Sequence, residues 1–205
     1  MGIVGGMTYQ ILRPKEHIYA PVVLGGSVLA MDSFTGADNT LLENHTPEKG
    51  GAWTVQAGSA RILSNKLKET AGGSKYTQNL GRANLTLEID YLVGTAEYSG
   101  FLFRWVDANN HWFCWAHENG SFYIYERTAG SNTLRANQAI GYHHGDSLRL
   151  KLVLMGDSMT FSCTGDHSGT LSYSNSVRNT ATIHGLELNA FAPQDGRLDN
   201  YLATR

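Results

Sequence analysis

The chain has 205 residues, with 18 acidic and 16 basic side chains and a formal charge of −2 at neutral pH. That length suits one domain with a full core, and the absence of a basic excess argues against nucleic acid as the main partner. Glycine is frequent at 23 residues and proline scarce at 4, a balance that fits many turns better than linkers.

Residues 1–31 stand apart: they hold Pro14 and Pro21, the pairs Gly5-Gly6 and Gly25-Gly26, and no sustained periodicity. They are expected to form an extended N-terminal arm ahead of a domain spanning 32–205. The apolar run Ala20–Met31 is too short and too glycine-rich to cross a bilayer, so no membrane insertion is expected. Met1–Thr8 lacks the charged start and apolar core of a signal peptide, and Gly6 stands where a myristoylation motif needs Ser or Thr. Ile11, Leu12, Ile18, Tyr19, Val22, Val23 and Leu24 are the arm's candidate anchors for a neighbouring subunit, acquiring order on assembly. Packing of the arm back onto its own domain is the alternative.

From Asp32 onward the period is two. Asp38–Asn44 has room for one helical turn. Leu85, Leu87, Ile89, Tyr91 and Val93 alternate with polar residues, as do Leu148, Leu150, Leu152 and Leu154, which predicts half-buried strands. Shorter strands are expected at Trp53–Gln56, Ala60–Leu63, Ser99–Val106, Trp112–His117, Phe122–Arg127, Ser158–Cys163, Thr170–Tyr173, Leu186–Phe191 and Asn200–Ala203. Turn residues separate them, as at Asp107–Asn110 and Gly156-Asp157. Short strands so punctuated predict an all-β antiparallel sandwich, a jelly roll. Cys114 and Cys163 both fall in strand-like apolar surroundings, which favours two reduced thiols, with one inter-strand disulfide as the alternative.

Three of the four tryptophans lie within Gly100–Trp115. Strict alternation puts Phe101, Phe103 and Trp105 on one face, opposite Leu102 and Arg104. Phe113 and Trp115 then share a face, opposite Trp112, Cys114 and Ala116, and Tyr123 pairs with Tyr125 on the following strand. One aromatic set must be core. The other is a candidate glycan or protein contact, drawn from Arg104, Trp105, Asn109, His111, Trp112, His117, Tyr123 and Tyr125, with Asp107 and Asn110 on the polar rim. No zinc-site spacing, nucleophile elbow or phosphate loop occurs, and His143-His144 reads as part of a turn.

The segments Asp32–Leu42, His45–Trp53, Gly58–Leu67 and Leu198–Leu202 resemble the concanavalin A-like, laminin-G-like jelly roll, especially versions carried by bacteriophage structural proteins and bacterial surface proteins. The resemblance covers roughly 32–203 and implies a fold more than an activity. It also implies a structural calcium ion held by Asp32 and Asp199 where the first and last strands run close together, with Asp38 or Asp195 contributing. No other cofactor is expected. Glu88-Ile-Asp90 resembles the opening of the related β-glucanase signature, but its last glutamate would fall at Val93, or at Leu92 in the shorter form. A solvated strand face is therefore the preferred reading of Glu88 and Asp90.

The leading expectation is a non-enzymatic structural protein of a virion, a capsid decoration or tail component attached through its arm to a capsid or tail protein. Self-association is a further expectation. The alternatives are a carbohydrate-binding adhesion module for host-surface glycans and, third, a glycoside hydrolase of the same superfamily.

Overall fold

The computed structural model of the chain describes residues 26–95, 97–190 and 195–205. Its first strand, β1 (Val28–Asp32), is followed by a 3-10 turn at Leu42–Asn44, inside the segment expected to hold a helical turn. Then come β2 (Thr54–Ile62), β3 (Leu67–Asn79), β4 (Leu85–Leu92), β5 (Glu97–Asp107), β6 (Asn110–His117), β7 (Ser121–Thr128) and β8 (Ser131–Ala139). The last five are β9 (Ser147–Met155), β10 (Ser158–Gly165), β11 (Gly169–Ser174), β12 (Ile183–Ala190) and β13 (Arg197–Thr204). The fold is all-β and antiparallel, as the alternation predicts. The arm anchors Ile11, Leu12, Ile18, Tyr19, Val22, Val23 and Leu24 lie outside the described residues. Strand β1 starts at Val28, within the segment read as arm, and pairs with β13.

The strands form two layers. One runs β11-β10-β9-β4-β13, with β1 also pairing β13; the other runs β3-β12-β5-β6-β7-β8, with β2 also pairing β3. A single pairing, Leu198 with Leu67, joins the layers along one side, and β11 approaches β7 and β8 along the other. The result is a nearly closed sandwich.

Alternation explains the core. Leu85, Leu87, Ile89 and Tyr91 of β4 and Leu148, Leu150, Leu152 and Leu154 of β9 turn inward, while Glu88, Asp90, Arg149 and Lys151 face out. They meet Phe101, Phe103, Trp112, Cys114, Phe122 and Ile124 of the other layer in one continuous cluster. Cys114 and Cys163 are buried free thiols, and burial raises both thiol pKa values, disfavouring the thiolate.

Alternation fails once where it matters. Arg104 adopts a left-handed backbone conformation, φ 50°, and the register of β5 shifts there against both β6 and β12. A one-residue slip moves a side chain to the opposite face. Trp105 therefore leaves the face of Phe101 and Phe103 and joins Leu102 and Phe113 in a second, outer cluster.

Candidate functional site

The outer face of the second layer carries an unbroken aromatic band. Two cross-strand rows build it, each fixed by register. The first runs Lys75, Glu187, Gly100, Trp115, Tyr123, Asn137 across β3, β12, β5, β6, β7 and β8. The second runs Thr77, Gly185, Leu102, Phe113, Tyr125, Leu134 across the same strands. Cross-strand neighbours of this kind sit close enough for large rings to touch.

The rings do touch. Phe113 lies 4.5 Å from Trp115 and 5.1 Å from Tyr125, centroid to centroid, and Trp115 lies 5.1 Å from Tyr125. Tyr98 packs on Trp115 at 4.1 Å and on His117 at 5.6 Å. At the other end, Trp105 stacks on His111 at 4.3 Å. Leu102, Trp105, His111 and Phe113 form a buried floor, whereas Tyr98, Trp115, His117, Tyr123 and Tyr125 are half-buried and give the band its open surface.

Polar groups fix these rings. Asn189 hydrogen-bonds the Tyr98 hydroxyl, and Asn119 donates to the Tyr123 hydroxyl at 2.9 Å. Lys75 pairs with Glu187 in the floor; burial pushes its ammonium pKa down to about 8, with Arg127 adding to the shift and Glu69 opposing it. The Nδ1–H of His111 donates to the Asp107 carbonyl at 3.0 Å. Burial nevertheless pushes the His111 pKa down to about 4, so the ring is neutral at physiological pH.

Of the contact residues expected from the sequence, Trp105, His111, His117, Tyr123 and Tyr125 do share this face. Arg104 and Trp112 do not, and both readings are corrected. The left-handed turn at Arg104 buries its side chain completely, and its guanidinium donates to the carbonyls of Gly156 and Asn175. Trp112 points into the core, where its indole N–H reaches the Val177 carbonyl at 3.1 Å. Asn109, Asp107 and Asn110 belong to the β5–β6 turn, where Asp107 accepts from both asparagines.

Trp115, Phe113 and Tyr98 belong to the site but were absent from the expected contact set, as were Lys75 and Glu187. The alternation of Leu186, Glu187 and Leu188 signals an outward glutamate in β12. Lys75 had no such signal, because β3 is interrupted by Gly72 and Gly73, both at positive φ, and by register shifts against β2.

The two aspartates expected to hold calcium do not converge. Asp32 is buried; one oxygen accepts from the Phe34 N–H and contacts His45, and the other accepts from the Trp53 indole at 2.7 Å. Asp199 pairs with Lys66 at 2.9 Å. A shift in β13 register at Asn200, itself at positive φ, places Asp199 on the opposite side from Tyr201, the register partner of Asp32. Asp38 accepts from the Ser64 N–H, and Asp195 from Thr95. Among the described residues no three His, Cys, Asp or Glu side chains group as a metal site.

Neither a scan of protein families nor a search of curated proteins returns a match for this sequence. Solved structures match in fold. Carbohydrate-binding module CBM66 from Bacillus subtilis superposes with a TM-score of 0.59 at 15% identity, covering 75% of this chain and 95% of that one. SCLam, a non-specific endo-β-1,3(4)-glucanase of family GH16, gives 0.57 at 9% identity, covering 88% and 91%. The CBM2 module of Lactobacillus casei BL23 phage J-1 evolved Dit gives 0.52 at 12%, covering 85% and 96%. At these identities the likeness is one of fold: this chain has an antiparallel β-sandwich of the kind these three structures share.

Proposed function

We propose that the chain is a non-catalytic carbohydrate-binding module whose ligand lies across the outer face of the β3-β12-β5-β6-β7-β8 layer. The observation that carries this reading is the half-buried set Tyr98, Trp115, His117, Tyr123 and Tyr125, side by side on one sheet face. A soluble domain rarely leaves so many contiguous rings partly open without a partner. Their apolar faces suit the C–H faces of sugar rings, while the Tyr hydroxyls supply polar edges. The fold likeness to carbohydrate-binding modules supports the same reading.

The carboxylates support binding over hydrolysis. Glu88 and Asp90 face away from the aromatic band and share Arg149, with Lys151 also pairing Glu88. On the band itself, Glu187 is engaged by Lys75. An array of plant, microbial and host glycans tests the proposal, with Trp115→Ala as the paired variant. Binding by the parent and loss in a folded variant is the expected result; silence across the array sinks it.

A second reading adds a location. The domain would be a capsid or tail component of a virion, displaying the aromatic band toward host-surface glycans. The likeness to the phage J-1 module supports it. Because β1 begins at Val28 and pairs with β13, a truncation testing the arm should stop at Gly25. Removal of residues 1–25 should leave a folded sandwich that no longer joins the particle. Normal incorporation of the truncated chain would refute the attachment role.

A further inference from the structure

The turn between β6 and β7 joins two of the open rings, His117 and Tyr123, and one residue orients the polar groups of both. Asn119 accepts the Ser121 N–H through Oδ1 at 3.0 Å. That bond fixes which end of the amide is which, so its NH2 group faces Tyr123 and donates to the hydroxyl at 2.9 Å. A hydroxyl oxygen that accepts from an amide keeps its own hydrogen for a partner outside. The Asn119 backbone N–H donates to His117 Nδ1, 3.3 Å away. Nδ1 is therefore the bare nitrogen of that ring, and Nε2 carries the hydrogen.

The turn is built to hold this arrangement. Gly120 lies at φ 79°, and a Cβ there would strike the Tyr142 carbonyl. The Gly120 carbonyl accepts from both Ile140 and Gly141, and the Tyr142 hydroxyl donates to the Ser121 carbonyl at 2.8 Å. The two donors are thus set before any ligand arrives. They are also reachable: Tyr123 is half-buried, the His117 side chain is 29% exposed, and the rings lie 5.9 Å apart.

Charged groups narrow the ligand. The Glu118 carboxylate, 38% exposed, lies 3.7 Å from His117 Nδ1. Lys75 is engaged by Glu187, and Arg127 by the Ala108 carbonyl and Asn132. An anionic ligand group would be repelled by Glu118, with both cations of this face already engaged. A sugar hydroxyl would satisfy the two donors but bring nothing apolar to the adjoining rings. An acetamido group meets every part. Its carbonyl oxygen has two lone pairs and no hydrogen, its N–H suits Glu118, and its methyl suits the rings of Trp115 and Tyr123.

We propose that this end of the band recognises the acetamido group of an N-acetylated sugar, whose carbonyl accepts from Tyr123 and His117. Asn119 is the positioning residue that sets both donors. The inference rests on the carbohydrate-binding reading and names its ligand class.

The test is titration calorimetry of the full chain with β-1,4-linked tetramers of N-acetylglucosamine, glucosamine and glucose. The acetylated tetramer should bind about tenfold more tightly than the glucose tetramer. Asn119→Asp keeps an acceptor for the Ser121 N–H but offers Tyr123 a carboxylate, which draws the hydroxyl hydrogen inward. It should bring the ratio of the two affinities toward one, a change that general loosening of the turn would not produce. Tyr123→Phe keeps the ring, removes the hydroxyl, and should narrow the ratio in the same way even where the turn variant fails to fold. Near-ultraviolet circular dichroism checks the folding of both. Equal affinity for the three tetramers, abolished by Trp115→Ala, would overturn the inference while the carbohydrate reading stands. Tightest binding of the glucosamine tetramer would overturn it as well, making Glu118 the recognising group. So would an undiminished preference in both folded variants, or silence toward all three tetramers. Only silence across the whole glycan array removes the carbohydrate reading itself.

Discussion

The two layers of the sandwich present opposite kinds of outer surface, although both rest on the same alternation. On the β4–β9 side, Glu88, Asp90, Arg149 and Lys151 form a lattice of ion pairs, which Asn200 extends through its bond to Asp90. Its groups satisfy one another and are solvated, so it asks nothing of a partner. On the β5–β6–β7 side, the outward residues are rings, and several polar atoms between them lack partners among the described residues. One surface is electrostatically closed and the other is chemically unfinished. The difference lies in what alternates with the core residues, not in how the strands pair.

This contrast can be broken most sharply at adjacent tryptophan positions. Trp112→Ala should destabilise the fold by about 3–5 kcal/mol, because it removes a fully buried ring from the core; chemical denaturation measures the loss. Trp115→Ala, three positions along β6 on the open face, should instead leave the melting temperature within a few degrees of the parent. Its effect should fall on ligand affinity, about 30-fold, a hot-spot truncation of about 2 kcal/mol. Equal effects of the two substitutions on stability would erase the distinction between core and contact ring.

Acid provides the next test. Burial pushes the pKa of both His184 and His111 down to about 4 from 6.5. Between those values the unfolded chain takes up protons that the folded chain refuses. The stabilisation is therefore complete above about pH 6.5 and is lost as pH falls toward 4. For fully buried His184 the loss is on the order of 3 kcal/mol. A pH series of denaturation curves should show this decline, and His184→Gln should flatten it if the variant folds. The smallest effect belongs to the charged face: Arg149→Ala should change stability by about 1 kcal/mol or less, be masked by added salt, and leave glycan binding untouched. A drop in binding would place the ligand on the charged face instead.

Much of the architecture was legible because both layers bury one side of each strand. The leucines of β4 and β9 and the aromatics of β6 and β7 declare their faces by parity alone. Three strands escaped notice for physical reasons. In β8, Ser131–Ala139 is an edge strand whose residues are nearly all exposed, so it has no apolar side to alternate. In β3, positive-φ glycines and shifts of register interrupt the pattern. Strand β1 lies in a stretch whose glycines and prolines mask its pairing with β13.

The site was legible only in part for a related reason. Parity assigns Phe113, Trp115, Tyr123 and Tyr125 correctly, but it misassigns Trp105 because the left-handed residue before it is an arginine, not a glycine. Sequence offers no cue for such a bulge. Glu187 and Lys75 reach the aromatic band because β12 pairs with β5 and β3 pairs with β12, a matter of topology that parity along one strand does not reveal.

The unequal burial of the indoles has an optical consequence. Trp53, Trp105 and Trp112 are at most 5% exposed, whereas Trp115 is half-open to solvent, and these are the four tryptophans of the chain. Three emitters are thus shielded from a dissolved quencher such as acrylamide, and one is reachable. Quenchable emission should come chiefly from Trp115 and fade when a ligand covers it. The protein carries its own fluorescent reporter, placed on the surface proposed to bind.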